Sequence, residues 1–173
     1  AYAGDIIGVF DPGIFSIGDT ICTPGKKFRF GGIPTFAPEH FSRVSPRDSM
    51  KRKQFIKGTE QIAQEGAIQI FKLPNSGMEE VIVGVVGTLQ FDVFQYRMKS
   101  EYGVDLRMEG LPYEHLRFIA KSPVEDLKDL NLSSDVELLE DYRGHSLLVF
   151  SSLWSIDYTI KRNPGLELSE TLN

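Results

Sequence analysis

The chain is poor in the residues on which most redox and metal chemistry depends. Its 173 residues include one cysteine, Cys22, so no intramolecular disulfide can form, and this suits a reducing compartment. A lone cysteine in an apolar stretch reads as a small packed residue rather than a nucleophile. The three histidines, His40, His115 and His145, have no close His or Cys partner and give no metal-ligand spacing. There is no apolar run of membrane-spanning length and no charged-then-apolar leader, so the expectation is a soluble, cytoplasmic protein without membrane partners. The phosphate-cradling pattern G-x-x-x-x-G-K-[ST] is absent, as are G-x-S-x-G and H-E-x-x-H. Acidic pairs such as Glu79-Glu80 and Glu140-Asp141 read as solvated loop charges rather than a general acid and base. These absences argue against an enzyme. No catalytic residue, metal ligand or bound cofactor is expected within these residues.

What is present is enough for a core, with 41% hydrophobic residues, and a charge of −5 that is unevenly spread. Residues 1–99 carry 12 Lys/Arg against 10 Asp/Glu, whereas residues 100–173 carry 7 against 14. A general nucleic-acid coat is excluded by that balance, but a local basic contact is not.

Along the chain, residues 5–10 (DIIGVF) and 14–22 (IFSIGDTIC) read as two short strands joined by the turn signal Asp11-Pro12-Gly13. A basic stretch, Lys26-Lys27-Phe28-Arg29-Phe30, and then Gly31-Gly32 mark a domain boundary. Two or three strands cannot close a barrel, so this opening reads as the end of one whose other strands lie elsewhere. The expected division is 1–35 and 36–173. In the second part, 38–45 reads as a strand. Asp48 to Gln64 reads as a helix, capped by Asp48 and stopped at Gly66. Phe55, Ile56, Thr59, Ile62 and Ala63 share one arc of that helix, with Lys53, Lys57, Gln61 and Gln64 opposite. Arg52 projects toward the apolar arc, where its stem snorkels, and Gly58 weakens the helix by about 1 kcal/mol relative to Ala.

Residues 67–73 (AIQIFKL) and 81–86 (VIVGVV) read as an antiparallel strand pair joined through Pro74-Asn75-Ser76-Gly77. The second is apolar throughout, as a strand covered on both faces would be. A second helix over 89–102, stopped by Gly103, and a strand from Val104 to Met108 complete the order strand, helix, strand, strand, helix, strand, the ferredoxin-like arrangement. The second helix carries Phe91, Phe94, Met98 and Tyr102 on one face and Leu89, Val93 and Tyr96 on another. Burial on both sides is therefore expected, with the C-terminal third as the second cover. That third reads as a strand (116–121), a short helix after Pro123 and two strands (136–141 and 145–150). Trp154, Ile156, Tyr158 and Ile160 alternate as in a strand, while Ser151-Ser152 and Asn163-Pro164-Gly165 bracket a capped helix.

The one candidate contact is basic: Arg43, Arg47, Lys51, Arg52, Lys53 and Lys57 against the single acid Asp48 within 43–57. A solvated helix face is the bland account of such a run, and a phosphate-backbone contact the functional one. Arg43, Arg47, Lys51, Lys53 and Lys57 are the residues singled out. A base-stacking RNA-recognition sheet is disfavoured, because the central strand Val81–Val86 has no aromatic.

The stretch AGDIIGVFDPGIFSIGDTI (3–21) resembles the end of the barrel domain of translational GTPases, where an AGDI-type strand leads to a GDT-type strand. GIPTFAPEHF (32–41), KRKQFIKGTEQIAQEGAIQIF (51–71) and VGVVGTLQFDVFQYRMKSEYGVDL (83–106) narrow the resemblance to the bacterial release factor three family, GTPases of translation termination. That resemblance implies an α+β C-terminal domain, a ferredoxin-like βαββαβ unit with a C-terminal α/β extension, preceded by remnant strands of a translation-factor β barrel. It implies a parent that binds GTP and magnesium in a domain outside these residues. It also implies partners: the ribosome, on its small-subunit side, class I release factors, and the parent's own GTPase and barrel domains. The role expected of this stretch is ribosome docking and domain coupling. A free-standing RNA-binding or regulatory module is the alternative. For the C-terminal ambiguity, the resemblance favours a helix ending before Asn163-Pro164.

Overall fold

In the computed structural model, the structure describes residues 2–10, 14–15, 18–25, 28, 30 and 36–171. The chain divides into two units, Ala1–Thr35 and Phe36–Asn173. In the first unit, residues 5–10 form no strand, nor do the described residues of 14–22, contrary to the sequence expectation. A strand exists only by exchanging hydrogen bonds with a neighbouring strand, and alternation of side chains in the sequence does not supply one. Ile6, Ile7, Phe10, Ile21, Phe28 and Phe30 are exposed. The expected turn Asp11-Pro12-Gly13, the basic residues Lys26, Lys27 and Arg29, and the Gly31-Gly32 boundary lie outside the described residues.

The second unit is α+β. Strand β1 (His40–Pro46) leads through a 3-10 turn (Ser49–Lys51) into α1 (Arg52–Gln64), then β2 (Gln69–Lys72), β3 (Val81–Val85), α2 (Leu89–Tyr102) and β4 (Leu106–Leu111). The strand, helix, strand, strand, helix, strand order read from the sequence is therefore present. After it come β5 (His115–Lys121), a second 3-10 turn (Leu127–Asp129), β6 (Val136–Asp141), β7 (Ser146–Phe150), α3 (Leu153–Arg162) and β8 (Glu167–Ser169). The helix expected after Pro123 is only that 3-10 turn, and β8 has no counterpart in the sequence reading: three residues are too few to carry a period.

All eight strands form one antiparallel sheet in the order β4-β1-β3-β2-β6-β7-β5-β8. The two halves are joined at β2 and β6, where Phe71 faces Asp141 and Lys72 faces Glu140. Strand β4 is at one edge and β5 is seventh, so in a flat sheet they would lie about 29 Å apart. The three residues between them can span no more than about 14 Å. The sheet must therefore curl, bringing the open face of the first half against the second.

The core divides accordingly. Val44, Val81, Val83 and Val85 meet Phe55, Ile62, Phe94 and Met98 under α1 and α2. Inside the curl, Phe41, Phe71 and Ile82 of the first half meet Leu116, Leu139, Leu147 and Val149 of the second. Leu148 and Phe150 pack with Ile156 of α3, Leu130 and Leu166 in a third cluster. All five residues of β3 are buried, because its alternate side chains serve the first two clusters.

Asp48 caps the turn into α1, accepting from the Met50 N–H at 2.9 Å. Gly58 lies where the two helices touch: a Cβ there would come within 2.7 Å of the Tyr102 ring and 2.8 Å of Met98 Sδ. Its low helix propensity is offset by that close approach. Gly103 ends α2 at φ +65°, and the N–H of Val104 reaches back to the Met98 carbonyl at 3.0 Å.

Burial of α2 on both sides is not observed. Phe94 and Met98 are buried, but Leu89, Val93 and Tyr96 are exposed. The C-terminal third extends the sheet and covers its other face instead of stacking on the helix.

Arg97 ties the helices together. Its Nε donates to Glu101 at 2.7 Å, its Nη2 donates to the other Glu101 oxygen at 2.9 Å, and it pairs with Glu65 beyond the end of α1. Hydrogen bonding from Arg97 holds both carboxyls below the usual range, and the carboxylates raise the guanidinium in turn. A depressed carboxyl stabilises the fold above its unfolded pKa of about 4.3, and that contribution is lost as the pH falls through the folded value. Arg97→Gln should therefore lower the melting temperature modestly at neutral pH, with the gap from wild type closing as the pH falls below about 4.3. A gap unchanged at the acid end would make Arg97 a packing residue rather than a charge clamp.

Candidate functional site

The five basic residues singled out in the sequence do not gather at one place. Val44 faces the helices, so its neighbour Arg43 points to the other side of the sheet. There it lies 3.9 Å from both Glu80 and Glu137, and Glu137 also accepts from the Tyr113 hydroxyl at 3.0 Å. Burial, reinforced by Glu137, pushes the Tyr113 phenol up to about 12. Arg43 thus lies in a partly exposed, carboxylate-rich corner. Arg47 follows β1 and donates through Nε to the Leu106 carbonyl at 3.0 Å, fastening the end of β1 to β4.

Lys51, Lys53 and Lys57 behave differently. Lys51 closes the 3-10 turn, and Lys53 and Lys57 project from the exposed side of α1, one turn apart. Among the described residues none of the three forms an ion pair. Arg52 is exposed and paired with Glu79, so it does not snorkel along the apolar arc. The opposite arc of α1 is anchored by Phe55, Thr59 and Ile62, which fixes the direction in which the lysines point.

A cleft of about 310 Å³ opens between α1, β2 and the β6–β7 hairpin, with Ile70, Phe71 and Met78 below and Glu60, Gln64 and Tyr142 at the rim. A more open depression of about 500 Å³ is lined by Asn75, Glu125, Asp126 and Lys128, among others. Neither brings a nucleophile to a base. Among the described residues no group of three or more His, Cys, Asp or Glu is placed to hold a metal ion, and no helix is long and apolar enough to cross a membrane.

One group escaped the sequence reading. On α3, Trp154 stacks on Tyr158 with ring centroids 4.8 Å apart and planes 14° apart, and the Arg162 guanidinium lies 5.4 Å over the Tyr158 ring. The i, i+4, i+8 spacing was the available signal. It was hidden because Trp154, Tyr158 and Ile160 also fit an alternating strand.

Fold and surface together describe an α+β domain, an eight-stranded antiparallel sheet with three helices, in which Lys51, Lys53 and Lys57 at the start of α1 form no ion pair among the described residues. More particularly, the chain belongs to the family described as class II release factor RF3, C-terminal domain, whose model matches residues 30–160. Three similar proteins bear the name peptide chain release factor 3, the factor of translation termination. That of Symbiobacterium thermophilum is 48% identical over 166 residues, covering 96% of this chain and 31% of that protein. That of Gloeobacter violaceus is 42% identical over 170 residues, 98% of this chain and 32% of that protein. That of Listeria welshimeri is 41% identical over 172 residues, 99% of this chain and 32% of that protein. The chain spans about a third of the length of these relatives.

Proposed function

We propose that this chain is the ribosome-docking and domain-coupling module of a cytoplasmic translational GTPase, one that promotes GTP-dependent recycling of class I release factors after peptide release. The observation that carries the reading is the family match together with Lys51, Lys53 and Lys57 at the start of α1, which form no ion pair among the described residues. Relatives about three times as long favour a module over a free-standing RNA-binding or regulatory protein. GTP and magnesium would be held in the remainder of such a longer protein, and activity would reside there. The sheet order β4-β1-β3-β2 with both helices on one face supports a ferredoxin-like unit in residues 40–111, with the rest of the domain as its α/β extension. In this reading residues 1–35 belong to a β-barrel domain, although their described residues form no strand here and Ile6, Phe10 and Ile21 are exposed. As a rigid arm on the small-subunit side, the domain transmits the nucleotide state of the GTPase domain into an orientation on the ribosome.

The test is charge reversal of Lys53 and Lys57 in the full-length factor. For every lysine–phosphate interaction removed, the salt slope of ribosome binding should fall by about 1 and affinity should weaken, while release-factor recycling slows. Nucleotide affinity should be unchanged, and surface changes of this kind alter stability by less than about 0.5 kcal/mol. Unaltered ribosome affinity and salt slope in the double variant would return these lysines to a solvated helix face.

A further inference from the structure

Helix α3 reverses the usual partition of side chains. It buries Ser155, Thr159 and Asn163 with only Ile156 as an apolar anchor, and leaves Trp154 66% and Leu153 61% exposed. The helix is held by polar groups. The Ser155 N–H donates to Ser152 Oγ at 3.3 Å, and the Ser155 hydroxyl donates to Asp135. Asn163 accepts from the Asn131 N–H at 2.8 Å and donates to the Thr159 carbonyl at 2.8 Å. So fixed, the helix presents the Trp154–Tyr158–Arg162 column outward as a pre-stacked surface. An indole carries a large apolar area that is normally buried, and here Trp154 stays two-thirds exposed, with Tyr158 the one ring stacked on it among the described residues.

We propose that this column is a binding site for single-stranded RNA, in which an unpaired base stacks on the free face of Trp154 while Lys161 and Arg162 meet the phosphates. Stacking on a planar aromatic platform is how proteins hold bases that have left a duplex, and cations alongside hold the backbone. Trp154 and Arg162 are separated by about 12 Å along the helix, room for a short stretch of strand. The outer side of α3 carries Lys161 and Arg162 against the single acid Asp157. Among the described residues neither cation is in an ion pair, and Glu167 and Glu170, which follow in the chain, are engaged by Lys121 and Arg117. A basic protein would meet those cations unfavourably, and a duplex offers no unstacked base. This site stands apart from the ribosome contact assigned to α1, since Lys53 and Lys57 lie on another helix.

Trp154 is the only tryptophan of the chain, so its fluorescence reports on the site alone. The chain should be titrated with octamers of riboadenylate and ribouridylate, a blunt RNA duplex of the same length and an octa-arginine peptide. The single strands should quench Trp154, adenylate more strongly than uridylate, with the duplex weaker than both. By anisotropy of labelled octamer, Trp154→Ala should lose about tenfold in affinity and Trp154→Phe less. Arg162→Gln should reduce the salt slope by about 1. Melting curves of each variant check the fold; should Trp154→Ala not fold, quenching of the wild type and the affinity of Trp154→Phe decide. Duplex binding as tight as single-strand binding would overturn the proposal in favour of bare phosphate attraction. Quenching by the basic peptide but not by RNA would overturn it in favour of a protein partner. Absence of quenching by any octamer would overturn it outright.

Discussion

Phe94→Ala should destabilise the domain by about 3–5 kcal/mol, while Val93→Ala, one residue away on the same helix, should change it by no more than about 0.5 kcal/mol. Phe94 is 1% exposed and packs beneath α1 and α2 among Phe55, Ile62, Val83 and Met98, where truncation leaves a cavity its neighbours cannot close. Val93 is 48% exposed, and alanine has a better helix propensity than valine, so little changes there. Domains of this size are stabilised by only about 5–15 kcal/mol, so the Phe94 effect is a large fraction of the whole. Chemical denaturation with matched slopes measures both. Equal costs at the two positions would mean that the outer stripe of α2 is covered in solution.

Phe71→Ala should cost a comparable 3–5 kcal/mol, and its effect should spread across both halves of the sheet. Phe71 is 2% exposed, faces Asp141 across the joint between β2 and β6, and lies 6.1 Å from the Phe41 ring inside the curl. Only two residue pairs link the halves through the backbone, so the side chains in the curl must supply most of their cohesion. Native-state hydrogen exchange of the variant should show β1 and β3 losing protection together with β6 and β7. Deprotection confined to residues 40–111 would show instead that the halves open independently.

Local periodicity determined much of this protein without reference to any tertiary neighbour. The spacing of Phe55, Thr59 and Ile62 placed α1, the stop at Gly103 ended α2, and the run Val81–Val86 announced a strand buried on both sides, which is Val81–Val85; the expected cap at Asp48 serves the 3-10 turn before α1, which itself starts at Arg52. Such patterns are legible because each residue needs only its own neighbours to satisfy them. The family was legible by a different route, the resemblance of stretches such as GIPTFAPEHF and VGVVGTLQFDVFQYRMKSEYGVDL to the release factor three family.

Where each face goes was decided only in three dimensions. The two apolar stripes of α2 look alike in sequence. Val93 is exposed because the short link from β4 to β5 curls the sheet and sends the C-terminal strands to the opposite face. Arg43 reads as one more cation in a basic run, yet the alternation of β1 turns it toward Glu80 and Glu137. Those two acids are far away in the chain and adjacent only in the sheet. Lys53 and Lys57 could be placed from helical spacing alone, because an exposed position requires nothing of the rest of the molecule. The Trp154–Tyr158–Arg162 column needed the helix to exist first: the same residues alternate well enough for a strand. The cap of Ser152 on Ser155 is local and was legible, but Asp135 and Asn131, which hold Ser155 and Asn163, are distant in the chain and only the fold brings them to the helix.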